Sequence, residues 1–286
     1  MLKFVLGSAQ LGFPYGISNK SGEVSLKEAG AILKIARSRG INTIDTAVNY
    51  GDSESRLGSL GLDDWEVITK LPELPKNCDN IQNWIQQHVF GSLRKLRVNK
   101  LQTLLLHRSS QYEGVRGELI HAALLELKKA GLIGKIGVSI YDPTELSYIL
   151  ENFDIDTVQA PFSVLDNRLL NSGALFDLKK RSIEVHVRSI FLQGLLLMTE
   201  SESISKFPRW GSLWSAWHIW LKQHDLTALE ACVRYALTPN EIDRVIIGVQ
   251  DSNQLMEIFE ASVGNIPDLP KDLETDDINL LNPFLW

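Results

Sequence analysis

The chain has 286 residues, 44% of them hydrophobic and 22% charged, which is enough for one large domain with a substantial core. A formal net charge of -6, from 29 Lys+Arg against 35 Asp+Glu, argues against a phosphate-backbone-binding surface, and no stretch approaches the roughly 20 apolar residues that span a bilayer. Its two cysteines, Cys78 and Cys232, belong to no metal-ligand or redox cluster, so the expectation is a cytoplasmic protein without nucleic-acid or membrane partners and without a bound metal.

Taken in order, short β-like runs alternate with longer stretches of helical period, the signal of parallel βα units. Phe4 to Leu6 is the first strand, followed by the glycine-rich GSAQLGFPYG. Ser25 with Glu28 three residues on predicts a capping box, and Ala29, Ile32, Leu33 and Ala36 form the apolar stripe of the helix it opens. INTID (41–45) is the second strand, with a helix near 53–60. EVIT (66–69) delivers Lys70, and a long helix covers about 81–96. LQTLLL (101–106) delivers His107, with a helix near 118–130 after a polar loop. KIGVS (135–139) leads into Asp142, Pro143 and Glu145, a cap, a first-turn proline and an acidic first turn. TVQA (157–160) precedes a helix predicted over 170–181. EVHVRS (184–189) leads into FLQGLLL and a polar tract from Thr199 to Gly211. An aromatic helix with Trp214, Trp217 and Trp220 follows, then a second helix opened by Thr227 and Glu230. RVIIG (244–248) is the eighth strand, and the last barrel helix covers 253–261.

Eight such units without a linker predict a single α/β domain, a (β/α)8 TIM barrel over residues 1–266. The competing doubly wound sheet would announce itself by G-x-G-x-x-G after its first strand, which is absent. The segment 267–286 is expected to pack on the barrel or on a partner subunit, and the sequence leaves monomer or homo-oligomer open.

In such a barrel the carboxyl ends of the strands share one mouth. Asp45, Lys70 and His107 stand at or just beyond three strand ends, with Tyr50 on the loop after the second. Alone, each has a plainer reading as a helix cap, a surface lysine or a hydrogen-bonded histidine. Together they fit carbonyl chemistry. A lysine ammonium stabilises a nearby phenolate, so Tyr50 is expected to have a lowered pKa and to act as general acid, with Asp45 keeping Lys70 charged. His107 would orient the carbonyl oxygen. No side chain supplies a hydride, so a nicotinamide cofactor is implied.

DTAVNYG, ITKLP and LLLHRS, in this order and position, closely resemble the aldo-keto reductases, whose tetrad is Asp, Tyr, Lys and His. GSAQLG, GVSIYD, Gln159, RSIFLQGLL and VIIGVQDSNQL resemble further motifs of that family in register. The resemblance implies reduction of an aldehyde or ketone, with Gly7 and Ser8 at the first-strand turn and Ser139 and Gln159 on the nicotinamide carboxamide. Arg188, Ser189 and Phe191 would border the nicotinamide and pyrophosphate, and Gly248, Gln250 and Gln254 the adenosine end. NADP(H) is the cofactor favoured on family grounds, with NAD(H) open because Gly248 and Gln254 stand where basic residues commonly clamp the 2′-phosphate. Ile140 replaces the usual asparagine after Ser139, and Arg188 the usual stacking aromatic. The opening segment resembles bacterial members associated with surface polysaccharides, implying a sugar-like or small carbonyl substrate. Arg108, Phe207 and Trp210 are the candidate substrate contacts. The competing readings are a cofactor-binding, redox-sensing barrel without efficient turnover, and a metal-dependent barrel hydrolase or isomerase.

Overall fold

The computed structural model describes residues 3–286. Eight parallel strands close into a barrel in sequence order: β1 (Phe4–Gly7), β2 (Thr43–Asp45), β3 (Glu66–Leu71), β4 (Leu101–Leu106), β5 (Ile133–Ser139), β6 (Thr157–Pro161), β7 (Glu184–Arg188) and β8 (Arg244–Gly248). Among the described residues twelve α-helices lie between and after them: α1 (Leu26–Ser38), α2 (Ser53–Leu60), α3 (Ile81–Leu96), α4 (Gly114–Lys129), α5 (Leu146–Asn152), α6 (Arg168–Asn171), α7 (Ala174–Lys180), α8 (Glu200–Lys206), α9 (Gly211–Gln223), α10 (Ala228–Leu237), α11 (Ser252–Ala261) and α12 (Ile278–Leu281). No helix is long and apolar enough to cross a membrane among the described residues.

The alternation of side chains along each strand decides what faces inward. Val5, Ile68 and Leu105, joined by Ile246, form a small apolar cluster separate from the main core; they plug the barrel interior. Stepping two residues from each toward the carboxyl end reaches Gly7, Lys70, His107 and Gly248, all therefore inward at the mouth. Toward the other end the interior is ionic. Glu184 accepts from Lys135 Nζ at 2.6 Å, and Thr43 Oγ1 donates to Glu66 at 3.1 Å. The opposite strand faces pack on the helices in the main core.

Several elements differ instructively from the sequence reading. Ser25 caps α1 by accepting the Glu28 N–H, but the Glu28 carboxylate does not close a capping box; it accepts the Ser252 N–H at 2.7 Å, tying α1 to the start of α11. The helix predicted over 170–181 is two, α6 and α7, broken at Gly173 with φ +79°. The tract after β7 contains α8, opened by a reciprocal Thr199–Glu202 capping box that the reading passed over. A second core unites the α9 tryptophans Trp214, Trp217 and Trp220 with Leu273, Leu280 and Leu281 of the terminal segment, so residues 267–286 pack on the barrel's own helices.

Two helical glycines make opposite predictions. Replacing a helix glycine with alanine ordinarily stabilises by about 0.5–1 kcal/mol, and Gly91→Ala in α3, where a Cβ meets nothing within 4 Å, is expected to do so. Gly58 of α2 lies so close to α3 that its Cβ would sit 2.0 Å from the Lys95 carbonyl oxygen. Gly58→Ala should therefore destabilise by about 1–3 kcal/mol, and urea unfolding of the two variants checks the opposite signs.

Candidate active site

The mouth of the barrel is organised by a buried ion pair. Lys70 Nζ on β3 lies 2.5 Å from Asp45 Oδ1 at the end of β2 and donates a second bond to the Thr46 carbonyl at 2.9 Å. The other carboxylate oxygen of Asp45 accepts from Gln159 Nε2 on β6 at 2.8 Å. Lys70 is 1% exposed and Asp45 3%. Burying two charges costs several kcal/mol each, and only good geometry with the remaining lone pairs satisfied compensates. Here both oxygens of Asp45 are used. Burial pulls the Lys70 ammonium below its ordinary pKa, against the opposing pull of Asp45.

Tyr50 stands above this pair. Lys70 Nζ is 5.1 Å from its ring centroid, and the His107 ring lies 5.9 Å away in an edge-to-face arrangement at 77°. Its loop is held from behind by the glycine-rich segment after β1: a Cβ on Gly12 would fall 1.8 Å from the Tyr50 carbonyl oxygen, and one on Gly51 (φ +52°) 2.3 Å from that of Gly12. Ser53 Oγ adds bonds to the Ser8 carbonyl at 3.0 Å and the Ser8 hydroxyl at 2.8 Å. Asp45, Tyr50, Lys70 and His107 therefore converge.

The electrostatics correct one expectation. Tyr50 is not acidified: burial raises its hydroxyl well above the ordinary phenol value, the Asp45 carboxylate raises it further, and Arg188 opposes them. Asp45 largely cancels the Lys70 charge that was expected to lower it. His107 moves the other way, to about 3, because burial and the nearby cations Lys70, Arg188 and Arg108 all disfavour imidazolium. It is neutral at physiological pH.

A cavity of about 780 Å³ runs from Tyr50 and Asp45 across the mouth to α11. Of the cofactor candidates, Gly7, Ser8, Arg188, Ser189, Phe191, Gly248, Gln250 and Gln254 line it, whereas Ser139 and Gln159 do not and are buried at their strand ends. The sequence reading missed its roof. Tyr15, Gly16 and residues 18–21 of the loop after β1 also line it, a loop in which the Ile17 N–H donates to the Gln193 carbonyl at 3.1 Å and the Tyr15 carbonyl accepts from Gln250 Nε2 at 3.4 Å. The only signal was glycine density, Gly12, Gly16 and Gly194, the last so close that a Cβ would lie 1.9 Å from Ser18 Oγ. A cavity of this volume suits a dinucleotide, and it leaves Gln250 Oε1 on its wall buried without a partner, as is Gln159 Oε1 below.

The substrate candidates separate. Arg108 sits beside His107, its Cζ 4.9 Å from the Tyr141 ring centroid. Phe207 and Trp210 do not line the cavity; they pack against the terminal segment, Phe207 edge-to-face on Trp286 at 4.9 Å and Trp210 Nε1 donating to Asp277 at 3.2 Å. Their position in the loop after β7 suggested the mouth, but the tryptophan cluster of α9 draws them outward.

Comparison with known proteins bears on the family and the fold. The family model described as "Aldo/keto reductase family" matches residues 3–272. The chain is 28% identical over 191 residues to the NADH-specific methylglyoxal reductase of Escherichia coli (strain K12), covering 56% of this chain and 55% of that one; it thus spans about half the length of this curated relative. Among solved structures it resembles the holo form of an aldo-keto reductase from Bacillus halodurans, with TM-score 0.70, 19% identity, and coverage of 93% of this chain and 88% of that one.

The neutral state of His107 has a stability consequence. Its folded pKa of about 3 lies below the unfolded value of about 6.5, so the unfolded chain takes up a proton that the folded one refuses. The contribution is full above pH 6.5 and is lost as pH falls toward 3. Urea unfolding across that window is expected to show a shallower decline for His107→Asn than for the parent protein.

Proposed function

Because the chain belongs to the aldo/keto reductase family, we propose that it reduces the C=O group of a small aldehyde or ketone to an alcohol, with Tyr50 as proton donor. The observation that carries the reading is the meeting of Tyr50, His107 and the Asp45–Lys70 pair beside a cavity of about 780 Å³ that Asp45 and Tyr50 line. Reduction adds hydride to carbon and a proton to oxygen, and a bound nicotinamide supplies the hydride. The chain's own groups serve the oxygen. A phenol with a raised pKa stays protonated until the carbonyl oxygen gains electron density, and then gives its proton. The phenolate left behind faces the Lys70 ammonium. A neutral imidazole at His107 donates an N–H to the same oxygen and orients it. Asp45 keeps Lys70 positioned, and Gln159 keeps Asp45 positioned.

At the adenosine end the reading departs from the family's usual preference for NADP(H) in favour of NAD(H). From β8 onward the cavity is lined by Ile246, Gly248, Gln250, Gln254, Glu257 and Ile258. None of these is basic and one is a carboxylate, so a 2′-phosphate would meet repulsion there, and Lys20 of the roof loop, which also lines the cavity, already has Glu202 at 3.9 Å. The NADH specificity of the Escherichia coli relative supports the same choice. The setting proposed is the cytoplasm, which two unpaired cysteines suit.

Two measurements test this. Tyr50→Phe should lower kcat by about 10²–10⁴-fold while changing the dissociation constant for NADH less than about threefold, read by fluorescence titration; full activity in this variant would remove Tyr50 from the mechanism. In the parent protein NADH should bind at least tenfold more tightly than NADPH, and Gln254→Arg should narrow that gap. Equal binding of the two by the parent would overturn the cofactor choice.

A further inference from the structure

Beside the proposed reaction site, two arginines flank one ring. Tyr141, just beyond β5, has Arg108 Cζ 4.9 Å and Arg188 Cζ 4.5 Å from its ring centroid. Arg108 follows His107 in the chain, and a second ring, Phe284 of the terminal segment, lies 4.8 Å from its Cζ. Arg188 lines the cavity with Tyr50. Both are only partly buried.

A neighbouring arginine does hold carboxylates. Arg168, close by, bonds Asp142 and Asp166 at 2.8 Å each. Among the described residues no carboxylate oxygen lies within 4.0 Å of Arg108 or Arg188. Arg188 spends N–H groups on the Ser189 hydroxyl at 3.2 Å and the Ile140 carbonyl at 3.0 Å, both neutral. The nearby carboxylate, Glu145, accepts from the backbone N–H groups of Tyr141 and Asp142 and from the Ser109 hydroxyl. Two permanent cations thus share a ring without an anion between them, in a chain whose net charge is -6.

Aromatic rings cover the guanidinium faces and leave the N–H edges, the part that recognises carboxylate and phosphate oxygens. Lys70, Arg188 and Arg108 all place positive charge around His107, and of the three only Lys70 has a carboxylate partner, Asp45; a cleft of one sign concentrates ligands of the other. We propose that Arg108 and Arg188 form an anion-binding edge of the active site, so that the preferred substrates are small carbonyl compounds bearing a carboxylate or a phosphate monoester. This rests on the reductase reading above. A dinucleotide pyrophosphate competes only for Arg188, since Arg108 does not line the long cavity; Arg108 is therefore the discriminating residue.

The test uses matched pairs with NADH as reductant: succinic semialdehyde against butanal for carboxylate, and glyceraldehyde 3-phosphate against glyceraldehyde for phosphate. In at least one pair the anionic member is expected to have a kcat/KM tenfold or more higher, mainly through KM, with the advantage shrinking as salt is raised. Arg108→Gln should cut that ratio at least fivefold, and Arg108→Lys should restore part of it; the pair that responds identifies the anion. Absence of any preference in both pairs, or a preference surviving both Arg108→Gln and Arg188→Gln, overturns the proposal. Calorimetric titration of the same compounds into the protein, with and without NAD⁺, reads the preference independently of turnover. Anion preference in binding with no reduction of any member would count against the reductase reading and for the arginine edge, whereas turnover of neutral and anionic members alike would do the reverse.

Discussion

The contact on which the site depends is the one between the Lys70 ammonium and the Asp45 carboxylate. β2 and β3 are neighbours, so pairing their inward side chains needs only local register, Asp45 opposite Ile68 with Lys70 two residues further. The second oxygen of Asp45 reaches Gln159 on β6, on the far side of the closed barrel. That bond exists only once the barrel has closed, and it fixes the carboxylate across the interior. An ion pair buried this deeply is weak evidence for stability, because apolar side chains of similar volume often do as well. Its use is better sought in what it holds in place, namely an ammonium under the ring of Tyr50.

Burial keeps the phenol from being acidic, and the same pairing reinforces it. A lone ammonium 5.1 Å from the ring would favour phenolate, but this one is neutralised at 2.5 Å by a carboxylate that also repels phenolate. The arrangement therefore holds the proton on Tyr50 until charge develops on a substrate oxygen. Burial and the cations around His107 work in the same sense, keeping an uncharged N–H donor in place of a cation that would compete as an acid. Proton donor and orienting group are thus assigned by environment, from two side chains whose ordinary pKa values lie much closer to neutrality.

Much of this was legible in the sequence because the barrel repeats one rule. Inward residues alternate along each strand, so an apolar run ending in Asp45, Lys70 or His107 already places those groups at a common mouth. Caps read from three-residue spacing held for the backbone half at Ser25 and completely at Thr227. What failed was long-range. Glu28 looked like a local capping partner and serves Ser252 instead, a contact across 224 residues. The loop from Tyr15 to Ser21 carries no periodic signal, and its role as a roof depends on Gln193 and Gln250, which only closure of β1 against β8 brings near it. The acidified tyrosine was a reading of one pair, where burial and then the Asp45 carboxylate decide.

The fate of Phe207 and Trp210 shows how the substrate side of the site is built. As aromatic residues after β7 they looked like pocket walls, yet they anchor the terminal segment, Trp210 through Asp277 and Phe207 through Trp286. That segment continues the tryptophan core with Leu280 and Leu281, and the Trp286 indole N–H closes back on the Leu280 carbonyl at 3.0 Å. Its last turn carries Phe284, which meets Tyr141 edge-to-face at 5.8 Å and lies over Arg108. The aromatic residues of the seventh loop thus bear on the reaction site at one remove: they seat the chain end that covers one face of the guanidinium next to His107. Phe284 is itself 67% exposed, which is costly for a ring unless it has work to do, and ordering Arg108 is the work its contacts describe.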